Sequence, residues 1–104
     1  MKKFIAYEKA VLFYYSADKI KLPHYLKDQI LRASSSVALN LSEGNAKYSL
    51  KEKNRFYSIA YASLKECKTA LELENQENSA LYDRADFLGA IIYRLIKSRG
   101  GEKC

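Results

Sequence analysis

Few side chains in this sequence are of the kind that act as nucleophiles, general bases or metal ligands. His24 is the one histidine, so neither a histidine-based zinc site nor the paired Glu-x-x-His signature of di-iron bundles can form. A Ser–His–Asp triad would have to use this residue at the start of a helix, where an exposed or capping role is expected. No glycine-rich phosphate-binding motif and no Cys-x-x-Cys pair occurs. The sequence therefore predicts no enzyme activity, no metal site and no cofactor.

Four other polar or thiol side chains fall in helical patterns or at the end of the chain. Cys67 is interpreted as a small buried hydrophobic residue, and with Cys104 at the last position it does not form a disulfide framework. Glu66 lies close to an inward stripe, and a buried carboxylate needs a partner, for which Arg32 is the candidate. Asn40, beside another apolar stripe, is interpreted as a helix-to-helix hydrogen bond.

Positive charge is concentrated in the first half of the chain. The net charge is +6, and residues 1–55 hold 11 Lys or Arg against 5 Asp or Glu, whereas residues 56–104 hold 7 against 7. A basic half of this kind is typical of a surface for phosphates or an acidic partner, and an ordinary solvated surface is the alternative. The candidate nucleic-acid-binding residues are Arg32, Lys47, Lys51, Lys53 and Arg55.

Tyrosine is the second candidate for nucleic-acid contact. The chain has nine tyrosines and no tryptophan. Tyr48, Tyr57 and Tyr61 lie near the basic segment, where aromatic rings can stack on bases. Tyrosine at helical spacing is also common in cores and interfaces, so both interpretations stay open.

Four helical segments must position these residues. One proline and four glycines favour helices over an all-β chain. Pro23 fits the first turn of the second helix, and Gly44 fits a left-handed position at the C-terminus of that helix. Ser49 and Glu52 form a capping box for the third helix, and Asn78 or Ser79 can cap the fourth. The expected inward stripes are Ala6, Ala10, Phe13, Ala17 and Ile20; Leu26, Ile30, Ala33, Val37 and Leu41; Phe56, Ala60, Leu64, Cys67 and Leu71; and Leu81, Ala85, Leu88, Ile92 and Leu95.

Short connections between four helices favour an all-α, antiparallel up-down-up-down four-helix bundle. The predicted bundle covers residues 1–99, followed by a flexible C-terminal tail over residues 100–104. Three consecutive serines, at 34–36, together with Ala33 and Ala38 leave the second helix with only small side chains at these positions. They indicate either a close approach of a neighbouring helix or a hydroxyl-lined binding surface.

The middle half of the chain carries a set of polar, small and aromatic residues at fixed positions: Gln29, Arg32, Ala33, Asn40, Glu43, Gly44, Phe56, Ala60, Ser63 and Glu66. In these residues the chain resembles the four-helix-bundle proteins named for 23S rRNA intervening sequences. Leu31 stands where that family often has arginine, and Tyr7 where it often has tryptophan. The resemblance implies a four-helix bundle, a homopentamer and no established enzyme activity. Relatives include the accessory variability protein of diversity-generating retroelements, which works with nucleic acid and a reverse transcriptase.

Self-association is also expected from the residues themselves. Phe4, Leu12, Phe13 and Tyr15 are spread around the first helix, and a monomer would leave a sizeable apolar patch exposed. We therefore predict a non-enzymatic oligomeric bundle that binds RNA or a nucleoprotein partner, such as a reverse transcriptase, through its basic surface. The alternative is a protein–protein interaction scaffold without nucleic-acid contact. No apolar run approaches the ~18 residues of a membrane span and no signal peptide is recognised, so a cytoplasmic location without membrane contact is expected.

Overall fold

A computed structural model describes residues 4–77 and 79–101 of the chain. Its helices are α1 (Ile5–Lys19), α2 (His24–Asn45), α3 (Leu50–Leu73) and α4 (Ala80–Gly101). The described residues contain no β-strand, and the all-α prediction is confirmed. Helix α4 includes the first two residues of the predicted flexible tail, and residues 102–104 lie outside the described residues, so the tail stays a prediction.

Each helix packs against two neighbours, in the pairs α1–α2, α2–α3, α3–α4 and α1–α4, which is the arrangement of a four-helix bundle. The α2–α3 pair has the most extensive contact and the α1–α4 pair the least. Helix α2 is antiparallel to α3, because Gly44 lies beside Tyr57 near one end and the Cys67 thiol lies 3.9 Å from the Ile30 carbonyl nearer the other. The up-down-up-down order of all four helices stays a prediction.

The predicted inward stripes form the core with one change of residue. In α3 the buried aromatic residue is Tyr57, which is 0% exposed, and Phe56 is only partly buried. Ile20 and Leu95, at the ends of their stripes, are partly buried and pack against the core. The stripes therefore identify the bundle interior, but the start of the α3 stripe is wrong by one position.

Side-chain and backbone caps explain where α3 begins and ends. Ser49 accepts a hydrogen bond from the backbone N–H of Glu52 at 3.1 Å, as the capping box predicts. Asn75 takes a left-handed backbone conformation, φ 57°, just after α3, which suits an asparagine at a helix C-terminus. Ser79 accepts from the Tyr82 N–H at 3.2 Å, so it caps α4; Asn78, the other candidate, lies outside the described residues.

Gly44 has a different role from the predicted left-handed cap. It lies inside α2, one residue before the helix ends, and no described glycine has a positive φ. A Cβ added there would lie 2.7 and 2.9 Å from two ring carbons of Tyr57 and 3.1 Å from the Cβ of Phe56. Gly44 is therefore required for the close approach of α3, and the prediction of a left-handed cap was wrong.

The serine run allows α2 and α3 to pack closely. Ser34 is fully buried and donates to the Leu31 carbonyl at 3.2 Å, which satisfies its hydroxyl within the helix. Ser36 and Ser63 form a hydrogen bond of 2.9 Å between α2 and α3. Asn40 donates to the Ser36 carbonyl at 2.9 Å and to its hydroxyl at 3.1 Å. Asn40 therefore contributes to the helix contact through Ser36 rather than by reaching α3 itself.

The expected buried ion pair is absent. Glu66 and Arg32 are both exposed and form no ion pair, because Glu66 lies one residue outside the buried stripe and faces solvent.

Cys67 is fully buried as predicted, and burial raises the pKa of its thiol from 9.0 to about 12. His24 is exposed, with Nε2 3.4 Å from a carboxylate oxygen of Asp28.

The described residues contain no group of three or more His, Cys, Asp or Glu placed to hold a metal ion. No helix within residues 4–77 and 79–101 is long and apolar enough to cross a bilayer.

Candidate nucleic-acid interface

The turn between α2 and α3 brings four of the five predicted cations to one end of the bundle. We call this surface the basic corner; it consists of Lys47, Tyr48, Lys51, Lys53, Arg55 and Phe56. Arg32 is exposed but lies 12 residues before Gly44 on α2, which is about 18 Å along the helix axis at 1.5 Å per residue. The structure therefore groups the four later cations and places Arg32 apart from them.

Phe56 organises two of the cations. The Lys47 ammonium lies 5.3 Å from the Phe56 ring centroid and the Arg55 guanidinium lies 5.0 Å from it, both within cation–π range. Lys47 also pairs with Glu43 at 3.1 Å, one turn earlier on the chain. Phe56 thus holds Lys47 and Arg55 on neighbouring parts of the surface, although they come from different elements.

Lys53 has a structural role beside its charge. Its ammonium donates to the Asn45 carbonyl at 3.1 Å and to the Gly44 carbonyl at 3.4 Å, at the C-terminus of α2. These carbonyls lie in the last turn of α2, beyond which the helix supplies no further N–H donors; the Gly44 carbonyl also accepts from the Lys47 N–H, and a cation there is favoured by the helix dipole. Lys53 is partly buried, so it joins the end of α2 to the start of α3 and contributes its charge to the surface from that position.

Acidic residues reduce the charge of the basic corner without cancelling it. Glu43 and Glu52 are the carboxylates within residues 43–56, against four cations in the same range. Glu43 is paired with Lys47, whereas Lys51 and Arg55 are exposed on the first two turns of α3. Lys51 and Arg55 are therefore the cations best placed to meet a phosphate.

The three candidate tyrosines have different environments. Tyr57 is 0% exposed in the core, and the Tyr61 ring packs against Tyr93 with centroids 6.0 Å apart. Tyr48 is 100% exposed, in the turn between Lys47 and the start of α3. Of the three, Tyr48 alone has a ring face fully open to solvent beside the cations.

Comparison with known families extends over nearly the whole chain. The sequence model of the family described as 23S rRNA-intervening sequence protein matches residues 2–98. The chain belongs to this family. Searches of curated proteins and of solved structures return no match.

The structure explains several residues that carried the resemblance to the intervening-sequence proteins. Gly44 is the position at which the Tyr57 ring crosses α2, and Ala33 and Ala60 are buried on α2 and α3. Ser63 accepts or donates the hydrogen bond to α2. These matching residues therefore maintain the α2–α3 contact, and the cations of the basic corner lie on the turn that this contact fixes.

A second cation–aromatic surface of this intervening-sequence protein lies between α3 and α4 and was missed in the sequence. A groove of about 270 Å³ is lined there by Tyr61 and Tyr93, among others. Lys65 lies 5.7 Å from the Tyr61 ring and Lys97 lies 5.8 Å from the Tyr93 ring. The signal was available, since both pairs are Tyr-x-x-x-Lys, the spacing at which helical side chains are neighbours.

The other end of the α3–α4 surface is neutralised by internal pairing. Lys68 forms an ion pair with Asp86 and lies 5.2 Å from the Tyr82 ring. The Tyr82 hydroxyl donates to the Glu72 carboxylate, and this hydrogen bond raises the pKa of Tyr82 to about 12. These contacts stabilise the packing of α4 on α3, and they leave the basic corner as the better candidate for phosphate binding.

Proposed function

We propose that this intervening-sequence protein is a non-enzymatic, oligomeric RNA-binding protein that contacts RNA through the basic corner, mainly by charge. The observation that carries the proposal is the grouping of Lys47, Lys51, Lys53 and Arg55 on the turn between α2 and α3 and the first turns of α3, with Lys51 and Arg55 exposed. The family description, which names an RNA, agrees with such a role. Arg32, about 18 Å away along α2, would contact a more distant phosphate of the same RNA.

The charge test uses the two most exposed cations. Lys53 is left in place because its loss would also remove the cap at the end of α2. We expect Lys51→Ala/Arg55→Ala to weaken binding of mixed-sequence single-stranded RNA, measured by fluorescence anisotropy over a range of salt concentrations. Each phosphate contact adds about −0.7 to the slope of log affinity against log salt, so loss of two contacts makes the slope shallower by about 1.4.

A matched control removes equal charge from the opposite end of the bundle. Lys19 and Lys21 are exposed around the end of α1, next to the start of α2. The 22 residues of α2 place that end about 33 Å from the basic corner. Lys19→Ala/Lys21→Ala is expected to keep the parent salt slope. Equal slopes for the two double variants, or no binding by the parent at low salt, would refute the proposal and favour the interaction scaffold.

We propose further that the protein self-associates through α1 and α4, as a pentamer if it follows the resemblance. Of the four apolar residues spread around the first helix, Phe13 is buried and Phe4 is partly buried, so these two pack within the monomer. Leu12 and Tyr15 remain more than half exposed, and Phe87 of α4 is 57% exposed. Leu12 and Phe87 line one groove of about 240 Å³ where the helices of the bundle are least tightly joined.

Light scattering with size exclusion tests this assembly. We expect a multiple of the 11.9 kDa chain mass for the parent and a smaller particle for Leu12→Glu/Phe87→Glu. Leu39→Glu, a change at a leucine on α2 that is more exposed than Leu12 or Phe87, serves as the control and should keep the parent mass. A parent that elutes as a monomer at micromolar concentration would contradict the proposal. A reverse transcriptase as partner stays a prediction.

A further inference from the structure

The most exposed aromatic side chain of the described residues is Tyr48. It is 100% exposed, whereas Tyr57, nine residues later, is 0% exposed. Its ring takes part in no aromatic pair, cation–ring contact or hydrogen bond with the described residues. Exposed tyrosines normally lay the apolar part of the ring on neighbouring side chains, so a ring fully in water is available for an external contact.

The backbone around Tyr48 is held at both sides. Before it, the Lys47 N–H donates to the Gly44 carbonyl at 3.1 Å. After it, the Ser49 carbonyl accepts from the Lys53 N–H at 3.0 Å and its hydroxyl caps α3. The ring therefore projects from a hydrogen-bonded turn whose position is fixed by α2 and α3.

Cations lie on either side of this ring in the chain. Lys47 precedes it directly, and Lys51 follows three residues later with its side chain exposed. Each nucleotide of a single strand carries a flat base and, one backbone unit away, a phosphate. An exposed aromatic ring with lysines before and after it in the chain matches this chemistry, because bases stack on aromatic side chains while cations of the same surface neutralise the phosphates.

We propose that Tyr48 stacks on an unpaired base, so that the ligand class of the basic corner is single-stranded RNA. This inference rests on the proposed RNA-binding function. In a duplex the base faces are covered by their neighbours and a side chain reads mainly backbone and groove, so a stacking tyrosine contributes only where bases are unpaired. Binding by charge alone would not discriminate between single-stranded and duplex RNA, whereas stacking by Tyr48 favours the single strand.

Affinity for two RNAs of equal length, one unstructured and one a perfect duplex, tests the proposal. We expect Tyr48→Ala to lose about 5- to 150-fold in affinity for the single strand, the range that stacking on one base contributes. The salt slope should stay as in the parent because no charge is removed. Affinity for the duplex should be unchanged, and Tyr48→Phe should bind like the parent. Tyr25→Ala, at a 70% exposed tyrosine near the start of α2, is the matched control and should have no effect.

A spectroscopic variant gives a readout independent of affinity. The chain contains no tryptophan, so Tyr48→Trp introduces a single indole at the proposed contact. Stacking on a base should quench its fluorescence when the single strand binds, and duplex should leave the emission unchanged.

The outcomes separate this inference from the proposed function. If Lys51→Ala/Arg55→Ala weakens binding but Tyr48→Ala does not, the stacking role is overturned and charge-based binding stands. If Tyr48→Ala weakens single-strand and duplex binding equally, Tyr48 is not a stacking residue and the preference for unpaired RNA is wrong. If the parent binds neither RNA at low salt, both the proposed function and the stacking role fail.

Discussion

Replacing Gly44 by alanine is expected to destabilise the bundle, although alanine is the better helix former. The new Cβ would lie 2.7 and 2.9 Å from the Tyr57 ring, below the distances that carbon atoms tolerate. Tyr57 is fully buried, with Phe4 packed 6.1 Å away between centroids, so the ring can move away from a new Cβ only by displacing its neighbours in the core. Overpacking of this kind costs about 1–3 kcal/mol, and the gain in helix propensity from Gly to Ala offsets about 1 kcal/mol.

The opposite result is expected for Gly89, which gives a matched control in α4. A Cβ at Gly89 would lie 3.4 Å from a terminal methyl of Leu64 and 3.9 Å from the Tyr61 ring, which are ordinary contacts. Gly89→Ala should therefore stabilise the protein by about 0.5–1 kcal/mol through helix propensity alone. We expect the overpacking cost of Gly44→Ala to lie near the upper end of its range. The two variants should therefore differ by about 2–3 kcal/mol in free energy of unfolding.

Urea and thermal unfolding followed by circular dichroism measure this difference. For a domain of this size, the melting temperature changes by about 4–8 °C for each kcal/mol of stability. Gly44→Ala should therefore melt about 10 °C below the parent, and Gly89→Ala should melt a few degrees above it. Protein concentration must be held constant, because self-association changes the apparent melting temperature. In a double-mutant cycle, the smaller leucine side chain of Tyr57→Leu should remove most of the loss of stability that Gly44→Ala causes in the parent. Equal stability of the two alanine variants would refute the close approach of α2 and α3 at Gly44.

Four further predictions concern α3 and its contacts. Ser36→Ala and Ser63→Ala should each cost about 1 kcal/mol, and the double variant should cost clearly less than their sum because the two hydroxyls bond to each other. The thiol of Cys67, with its pKa raised by burial from 9.0 to about 12, should react with a thiol reagent only upon unfolding in a Cys104→Ser background. The raised folded-state pKa also means that stability is fully present below pH 9 and falls between pH 9 and about 12 by up to about 1.4 kcal/mol per pH unit; Cys67→Ala should lose this part of the pH dependence. Ser49→Ala should cost about 1 kcal/mol by removing the cap of α3, measured by urea unfolding.

The helices and most of the core follow directly from the spacing of apolar residues, and the exceptions have a common origin. On the α3 stripe, Phe56 and Tyr57 lie four and three residues before Ala60, and both spacings place a residue on the same helix face. What selects Tyr57 is the missing Cβ of Gly44 on another helix, which periodicity within α3 does not contain. A glycine near a helix end is typical of a left-handed cap, so the sequence predicts that role for Gly44. Its steric role depends on a residue of another helix and is identified only by the packing distance to Tyr57.

The candidate site was predictable in composition but not in arrangement. The sequence identifies Lys47, Lys51, Lys53 and Arg55 as a basic segment. That Lys53 turns back to the end of α2 while Lys51 faces solvent depends on the angle of the turn, which no local pattern encodes. Glu66 illustrates the same limit, because one residue on a helix is a rotation of about 100°, enough to move a side chain from the boundary of the core into water.

The hydrogen bonds that close the turn between α2 and α3 have a thermodynamic consequence for recognition. Backbone groups on both sides of Tyr48 are already paired, and the turn joins the two most extensively packed helices. The conformational entropy of this segment is therefore lost when the chain folds, not when it meets a ligand. A partner of the basic corner encounters a preorganised surface, and the ordering cost of binding falls mainly on the long cationic side chains and on the partner's own flexible backbone.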